Sequence, residues 1–503
     1  MSHFVRRLNI GLAVVAVLLL MTIVWSDSTN DATLPDTATN EVTTTSTSTT
    51  TSSTTTTTTE PPYDGWVDPA SAFEPWGDTV EGLLTFRGNP TRTYYGEGPV
   101  PDDPEVVWRF PDEPMCSNSD GGTVTTWCGS GWTGQPSIFE REGVTWATLG
   151  SYSRNVHFLD ADDGTRLLPD FPTGDIIKGS VTIDPDGFPL LYTGSRDNFY
   201  RVIAFDRDEP TELWRLAWND ATPTLWNNDW DGAGLVIDDH LFIGGENSRI
   251  HIVKLNRGYD AEGRVTVDPE LIWDAAGWDD ELLAAVGNNV SIENSVAISG
   301  DTLYFANSGG LIQGWDIGGL RDGIEPTRVF RYWAGDDIDA TLVIDDDGMI
   351  YAGVEYERGT ARSQELGQVI KLDPSRPDDP FVWGVDAREG LDTGVWATPG
   401  LHRDLLIVPT DTGTVLGLDR DTGDERWRME FGSKLWQSPV IVDDVWIQGD
   451  CLGVLRGYDV SDTTVEPPLL WELELGGCIE STPAVWRGRI VVGTWSGYIF
   501  GIG

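Results

Sequence analysis

One stretch of the chain decides the fold: residues 396–427 read WATPGLHRDLLIVPTDTGTVLGLDRDTGDERW. It contains four short apolar segments separated by polar turns, among them Thr412-Gly413 and the Asp-Thr-Gly-Asp turn at 421–424. Short apolar runs broken by Gly and Asp turns are typical of antiparallel strands. Four such strands in succession form one blade of a β-propeller.

The same unit returns along the chain. Its first six residues align without gaps at eight places, roughly 40 to 62 residues apart, which is near the period of propeller blades. The eight segments are TGQPSI (133–138), KGSVTI (178–183), DGAGLV (231–236), ENSVAI (293–298), DATLVI (339–344), WATPGL (396–401), WQSPVI (436–441) and ESTPAV (480–485). We predict an all-β, eight-bladed β-propeller of four-stranded antiparallel blades. Seven blades is the alternative, with the third or fifth repeat as an insertion.

The chain ends predict how the propeller closes. The eighth repeat ends at Gly503 without a fourth strand, whereas an unmatched segment with a Trp, residues 106–110, precedes the first repeat. We predict that this N-terminal strand completes the last blade, because closure leaves no free strand edge at the seam. Helix should be scarce, and residues 279–286 are the best candidate.

The N-terminus predicts export. Arg6 and Arg7 precede an apolar run over residues 8–25, which is long enough to span a bilayer once with the arginines on the cytoplasmic side. A transmembrane signal-anchor over residues 1–26 is the favoured interpretation, and a cleaved signal peptide with secretion is the alternative. Residues 27–62 form a Thr/Ser-rich tract that we expect to be a disordered or O-glycosylated stalk. A lead-in segment over 63–104 then reaches the propeller at 105–503.

The net charge limits which partners are possible, and the cysteine content predicts disulfides. With 81 acidic against 33 basic residues, the net charge of −48 excludes nucleic acid and anionic lipid as partners. The acidity indicates either solubility alone or attraction of cations and basic partners. The four cysteines predict two disulfides, with local pairing of Cys116 to Cys128 and Cys451 to Cys478 favoured among three connectivities. We expect a monomer.

The repeat, with its Gly turn, Asp-x-x-Thr-Gly turn and following Trp, resembles the pyrroloquinoline-quinone-type (PQQ-like) β-propeller repeat, most clearly over 398–427 and 437–471. The segment FRGNPTR at 86–92 resembles the lead-in that often precedes such propellers. The resemblance covers about residues 84–503 and implies the fold. This family contains quinone-dependent dehydrogenases and also cofactor-free scaffolds such as the outer-membrane assembly lipoprotein.

Several features of the dehydrogenase members are missing from the sequence. Those members place a disulfide of adjacent cysteines over the quinone, and some carry a CxxCH haem motif; this chain has neither. Their Glu/Asn/Asp calcium set and Asp base do not map onto this sequence residue by residue. The resemblance therefore argues against redox activity and favours the scaffold-like branch. The chain also has no Cys before Cys116, so a lipid anchor is not expected.

Candidate site residues come from the first column of the alignment, because the first strand of every blade lines the channel. The column is Thr133, Lys178, Asp231, Glu293, Asp339, Trp396, Trp436 and Glu480. Carboxylates gathered in one channel raise one another's pKa, recruit Lys178 or bind a cation, and Asp231, Glu293 and Asp339 are the candidate Ca²⁺ ligands. The alternatives are a small-molecule or peptide site at the channel mouth and a hydrated polar funnel with Lys178 as the local counterion. Trp396 and Trp436 either stack on a planar ligand or pack together.

We predict a membrane-anchored, extracytoplasmic propeller that acts as a binding or scaffold module for a protein or small-molecule ligand. No catalytic residue and no cofactor is predicted. The alternative is an oxidoreductase that depends on PQQ and Ca²⁺ and has its site at the central channel.

Overall fold

Eight mainly antiparallel sheets of four or five strands form the propeller in a computed structural model that describes residues 63–120, 124–132 and 134–503. Blade 1 has strands Gly82–Leu83, Ser137–Arg141, Val144–Gly150, Asn155–Asp160 and Phe171–Pro172. Blade 2 has Thr182–Ile183, Leu190–Ser195, Phe199–Ala204 and Thr211–Ala217. Blade 3 has Leu235–Ile237, His240–Gly245, Arg249–Lys254 and Glu270–Ala276. Blade 4 has Ala297–Ser299, Thr302–Phe305, Leu311–Asp316 and Thr327–Trp333.

The second half of the chain continues the pattern. Blade 5 has strands Val343–Ile344, Ile350–Gly353, Val369–Leu372 and Phe381–Val385. Blade 6 has Gly400–His402, Leu405–Pro409, Thr414–Asp419 and Glu425–Glu430, and blade 7 has Val440–Val442, Val445–Gly449, Val454–Asp459 and Leu469–Glu474. Blade 8 has Gly96–Glu97, Ala484–Trp486, Arg489–Gly493, Ile499–Ile502 and Val106–Phe110. The eight-bladed prediction is confirmed.

The seven-blade alternative is wrong, because the two irregular repeats keep all four strands and carry their extra residues outside them. The third repeat inserts a hairpin, Gly258–Tyr259 with Val265–Thr266, before its last strand. The fifth adds the pair Glu355–Tyr356 and Thr393–Gly394 and a helix, Ala361–Leu366. Each insertion lengthens the repeat without replacing a blade.

Helix is scarce within the described ranges, as predicted. The other α-helix is Asp280–Val286, and Asp279 caps it by accepting the N–H of Leu282 at 3.0 Å. Two 3₁₀ turns lie at Pro69–Ser71 and Leu320–Asp322. No helix in these ranges is long and apolar enough to cross a membrane. The predicted anchor and stalk, residues 1–62, lie outside the described residues and stay predictions.

The N-terminal strand closes the ring as predicted. Val106–Phe110 pairs antiparallel with Ile499–Ile502 as the outer strand of blade 8. A second N-terminal strand, Gly96–Glu97, pairs in parallel with the inner strand Ala484–Trp486 of the same blade. Both edges of blade 8 are therefore covered by the N-terminal segment.

In blades 6, 7 and 8, the Trp of the outer strand explains the glycine of the neighbouring strand. The two residues lie opposite each other in the pairs Trp427–Gly417, Trp471–Gly457 and Trp108–Gly501. In blades 2, 3 and 5, a larger residue lies opposite the Trp. The Trp108 indole then donates to the carbonyl of Ala161 in blade 1 at 2.8 Å. The Trp383 indole donates in the same way to Arg420 of the next blade, at 3.3 Å. These indoles join one blade to the next.

The cysteines form the two disulfides expected from sequence. Cys116 is bonded to Cys128 across the hairpin Cys116–Asp120 and Val124–Cys128, and Cys451 is bonded to Cys478. The second bond links the turn inside blade 7 to the segment that leads into blade 8.

The lead-in segment crosses the centre of the propeller, which the sequence did not predict. We call residues 82–97 the plug. Its carbonyls at Leu84, Pro90 and Thr91 accept N–H groups from the inner strands of blades 2, 4 and 5 at 2.8, 2.9 and 3.0 Å. Gly82–Leu83 pairs with the inner strand of blade 1. The plug therefore closes the channel at the ends of the inner strands.

Two arginines anchor the plug, and neither has any solvent exposure. Arg87 donates to the carbonyl of Thr398 in blade 6 at 2.6 Å. Arg92 donates to Val296 in blade 4 at 2.6 and 2.8 Å and to Ala233 in blade 3 at 3.2 Å. Their planar, many-donor guanidinium groups satisfy carbonyls that the curved inner strands leave unpaired.

Candidate functional site

The inner strands begin at the opposite end of the channel from the plug, and we call this end the mouth. The cavity at the mouth has a volume of about 20 Å³, which is room for one water molecule or one ion. The lining residues are Trp132, Glu293, Asp339, Trp396, Trp436 and Glu480. Five of them belong to the predicted column, whose first member, Thr133, lies outside the described residues.

Lys178 lies beside the mouth in a buried cluster with three carboxylates. Its ammonium group is 3.1 Å from Asp229 and 3.3 Å from Glu246, and it contacts Asp231 more closely still. Burial alone would lower the pKa of Lys178, but these carboxylates raise it well above its usual value. Arg196 adds a second cation, 3.1 Å from Asp229. We call Asp229, Asp231 and Glu246 the blade 3 triplet.

A second group of three carboxylates, the blade 5 triplet, consists of Asp337, Asp339 and Glu355. In each triplet, ligand oxygens from the three residues lie within 4.8 Å of one another. Burial, joined by the like charges of neighbouring carboxylates, raises the pKa of all three blade 5 residues well above the usual values. The two triplets are thus alike in geometry and differ in the cations that surround them.

The structure separates the residues predicted as one Ca²⁺ site. Asp231 belongs to the blade 3 triplet and Asp339 to the blade 5 triplet. Glu293 lies between them and accepts hydrogen bonds from Ser291 and Ser308, at 2.5 and 3.2 Å. The three therefore share an electrostatic environment without forming a single ligand set in the described part of the chain.

The remaining column residues form an aromatic wall. The rings of Trp396 and Trp436 stack on each other, with centroids 5.4 Å apart and planes at 10°. The Lys434 ammonium group lies 4.7 Å from the Trp436 centroid and is paired with Asp411 at 3.2 Å. The aromatic wall therefore already holds one cation against its face.

Glu480 is held firmly at the same mouth. It accepts hydrogen bonds from the Trp495 indole at 2.9 Å and from the Tyr152 hydroxyl at 3.3 Å. Burial raises the pKa of this carboxyl. Its acceptor capacity is thus partly used within the protein.

The alignment column missed four carboxylates, and a simple pattern could have found two of them. Asp229-Trp230-Asp231 and Asp337-Ile338-Asp339 both place an extra Asp two residues before the column. The third member of each triplet follows the second strand of the blade, Glu246 directly after Gly245 and Glu355 two residues after Gly353. Only the folded hairpin brings that Glu back to the strand start.

A Ser–His–Asp arrangement in blade 1 was also not predicted. The Ser151 hydroxyl is 2.9 Å from His157 Nε2, and His157 Nδ1 is 3.0 Å from Asp170. Ser151 has no solvent exposure, so no substrate reaches its hydroxyl. The arrangement ties the strands of blade 1 together.

Sequence comparison agrees with the repeat pattern. A family model described as outer membrane protein assembly factor BamB matches residues 365–502. Over this range the chain carries PQQ-like β-propeller repeats. No curated protein sequence matches it significantly.

Solved structures share the fold of this PQQ-like propeller at low identity. A quinohemoprotein alcohol dehydrogenase from Pseudomonas putida HK5 has a TM-score of 0.57 at 11% identity, covering 86% of this chain and 80% of that one. A europium-containing methanol dehydrogenase gives 0.54 at 12%, covering 82% and 89%. Sqt1 from Saccharomyces cerevisiae gives 0.53 at 9%, covering 79% and 98%. Likeness at these identities shows the fold alone.

Proposed function

We propose that this chain is a membrane-anchored, extracytoplasmic binding module that holds a cationic ligand, a basic segment of a partner protein or a small organic cation, at the mouth. One observation carries the proposal: the plug closes one end of the channel, while carboxylates and tryptophans converge at the other. A pocket that is closed at one end and lined by polar and aromatic side chains is the usual form of a ligand site. The protein acts as a monomer in this proposal.

The chemistry of the mouth supports a cation as the ligand. Glu293, Asp339 and Glu480 line it with carboxylates, and the net charge of −48 attracts positive partners over longer range. Lys434 shows how a cation fits the aromatic wall, because its ammonium group lies over Trp436. A basic side chain of a partner would take the place of this lysine.

Charge weighs against the quinone of the dehydrogenase alternative. Pyrroloquinoline quinone is a fused-ring tricarboxylate, whereas the mouth is lined by the carboxylates of Glu293, Asp339 and Glu480. Lys178, the column's only basic residue, is already paired with three carboxylates. The residues present do not fit this group.

The proposal is tested by titrating the protein with a lysine-rich peptide and with the same peptide acetylated on its lysines, using tryptophan fluorescence. The free-amine peptide should bind, and Trp436→Leu should weaken its binding about tenfold, the value of a cation–π contact of roughly 1–2 kcal/mol. Tyr259→Leu, an exposed aromatic on the blade 3 hairpin, serves as the control and should bind like the parent. Equal binding of both peptides, or no effect of Trp436→Leu, would contradict the proposal.

The dehydrogenase alternative has a separate test. Incubation with pyrroloquinoline quinone and Ca²⁺ should give neither a stoichiometric absorbance change nor dye-linked oxidation of alcohols or sugars. Stoichiometric quinone binding with turnover would replace the binding-module proposal.

A further inference from the structure

The channel contains the same acidic arrangement twice, and the two copies differ in how their charge is balanced. Both triplets consist of an Asp-x-Asp before the inner strand and a Glu after the second strand of the same blade. In both, the ligand oxygens lie within 4.8 Å of one another. The blade 3 triplet therefore serves as an internal control for the positive charge that such a triplet requires.

The blade 3 triplet is balanced by cations of the protein. Lys178, the column residue of the preceding blade, contacts all three of its carboxylates. Arg196, also from blade 2, pairs with Asp229. Two positive charges thus lie beside three negative ones. Buried carboxylates need such nearby positive charge.

The blade 5 triplet has no equivalent balance. The column residue of its preceding blade is Glu293, an acid in the position that Lys178 occupies for blade 3. Among the described residues, no Lys, Arg or His is within ion-pair distance of Asp339 or Glu355. Arg358 reaches only Asp337, at 3.5 Å, and its other contacts go to Asp336 and the Asn289 carbonyl.

Buried oxygens of the blade 5 triplet also have no hydrogen-bond partner. These are Asp337 Oδ1, Asp339 Oδ1 and Glu355 Oε1. Asp337 and Glu355 are only 5% and 2% exposed. A carboxylate oxygen that is buried without a partner is unfavourable, so such atoms point to a ligand that supplies positive charge.

We infer that the blade 5 triplet binds a divalent cation of the Ca²⁺ type. Its donors are all carboxylate oxygens, which Ca²⁺ prefers, and the group contains no nitrogen or sulfur ligand of the kind that Zn²⁺ favours. Ca²⁺ ligands lie about 2.3–2.6 Å from the ion, so oxygens on opposite sides are up to about 5 Å apart. The donor oxygens of the triplet all lie within 4.8 Å of one another, so one such ion can contact all three residues. The ion takes the role in blade 5 that Lys178 takes in blade 3.

The first experiment measures the thermal unfolding midpoint of the full chain in chelator and after addition of Ca²⁺ to several millimolar. The parent midpoint should rise with Ca²⁺, because a ligand that binds the folded state stabilises it. Glu355→Gln should abolish the rise. In chelator this variant should unfold at a higher temperature than the parent, because one repelling charge is gone, and that result also shows that it folds.

The matched control is Glu246→Gln in the blade 3 triplet, which removes a carboxylate of the same type from the same channel. It should keep the Ca²⁺-dependent rise, because Lys178 already fills that triplet. An equal concentration of Mg²⁺ controls for ionic strength and should give a smaller rise, because Mg²⁺ demands shorter, octahedral coordination.

A second readout uses Tb³⁺ as the probe, excited through tryptophan. Trp396 and Asp339 line the same cavity, so Tb³⁺ at the triplet should luminesce, and Ca²⁺ should displace it. Glu355→Gln should weaken Tb³⁺ binding at least tenfold, and Glu246→Gln should not. A parent midpoint unchanged by Ca²⁺, or equal loss in both variants, would overturn the inference. Peptide binding at the mouth is measured separately, so either proposal can fail alone.

Discussion

Arg92 shows how a single residue can hold the plug in the channel. Its guanidinium group donates to three backbone carbonyls, those of Phe86, Ala233 and Val296, and it is fully buried. Burial lowers its pKa to about 9, so the group stays protonated at neutral pH. Arg92→Met would leave these carbonyls buried and unpaired, at about 1–3 kcal/mol each.

We therefore expect Arg92→Met to lower the free energy of unfolding by roughly 3–5 kcal/mol in denaturant titrations. Arg92→Lys should lie between this variant and the parent, because an ammonium group offers fewer donors in one place. Arg264→Met is the control: its side chain is 53% exposed, and its ion pair with Asp260 at the surface should contribute little to stability. Equal stability of Arg92→Met and the control would refute the anchoring role.

The sequence predicted the mouth better than its acidic triplets. Glu293, Asp339, Trp396, Trp436 and Glu480 line one cavity because residues at equivalent repeat positions must meet in a closed ring. Glu246 and Glu355 could not be found in this way, since they return to the mouth only through a hairpin. The FRGNPTR motif was recognisable as a lead-in, but nothing in its pattern shows that its arginines bind carbonyls of three other blades.

At the scale of the blade, blades 6, 7 and 8 share a cross-strand pair of Gly and Trp. A Cβ atom added to Gly457 would lie 2.3 Å from the Trp471 ring, far inside van der Waals contact. The backbone at Gly457 suits any residue, so the effect of Gly457→Ala is steric. Overpacking of this kind costs roughly 1–3 kcal/mol.

Gly457→Ala should accordingly lower the free energy of unfolding by about 2 kcal/mol, as measured by denaturant unfolding. Gly258→Ala is the matched control, because its nearest neighbour, a Thr266 oxygen, would be at an ordinary 3.6 Å. It should change stability by well under 1 kcal/mol. Equal stability of the two variants would show that the Trp471 indole does not require a glycine at position 457.

Strand order and turns could be predicted because they depend on local sequence, whereas the shortest elements could not. Gly82–Leu83 and Gly96–Glu97 contain only two residues each, and their strand geometry comes from pairing with blades 1 and 8. The outer strand of blade 1, Phe171–Pro172, is likewise only two residues long. Such elements depend on long-range partners rather than on their own composition.

For the whole molecule, closure and plugging are separate contributions of the N-terminal segment, and truncation can separate them. A chain that begins at residue 98 keeps Val106–Phe110 and so keeps the outer strand of blade 8, but it lacks the plug. A chain that begins at residue 112 lacks both and exposes the edge of Ile499–Ile502. Exposed strand edges pair with other chains.

We expect the chain from residue 63 to be the most stable in calorimetry. The chain from 98 should unfold at a lower temperature but still in one cooperative transition, because the ring remains closed. The chain from 112 should associate in light scattering, since its seam is open. A monomeric chain from 112 that unfolds at the same temperature as the chain from 98 would show that the outer N-terminal strand contributes nothing to closure. Loss of folding in the chain from 98 alone would instead make the plug, with Arg87 and Arg92 at its centre, the element on which all eight blades depend.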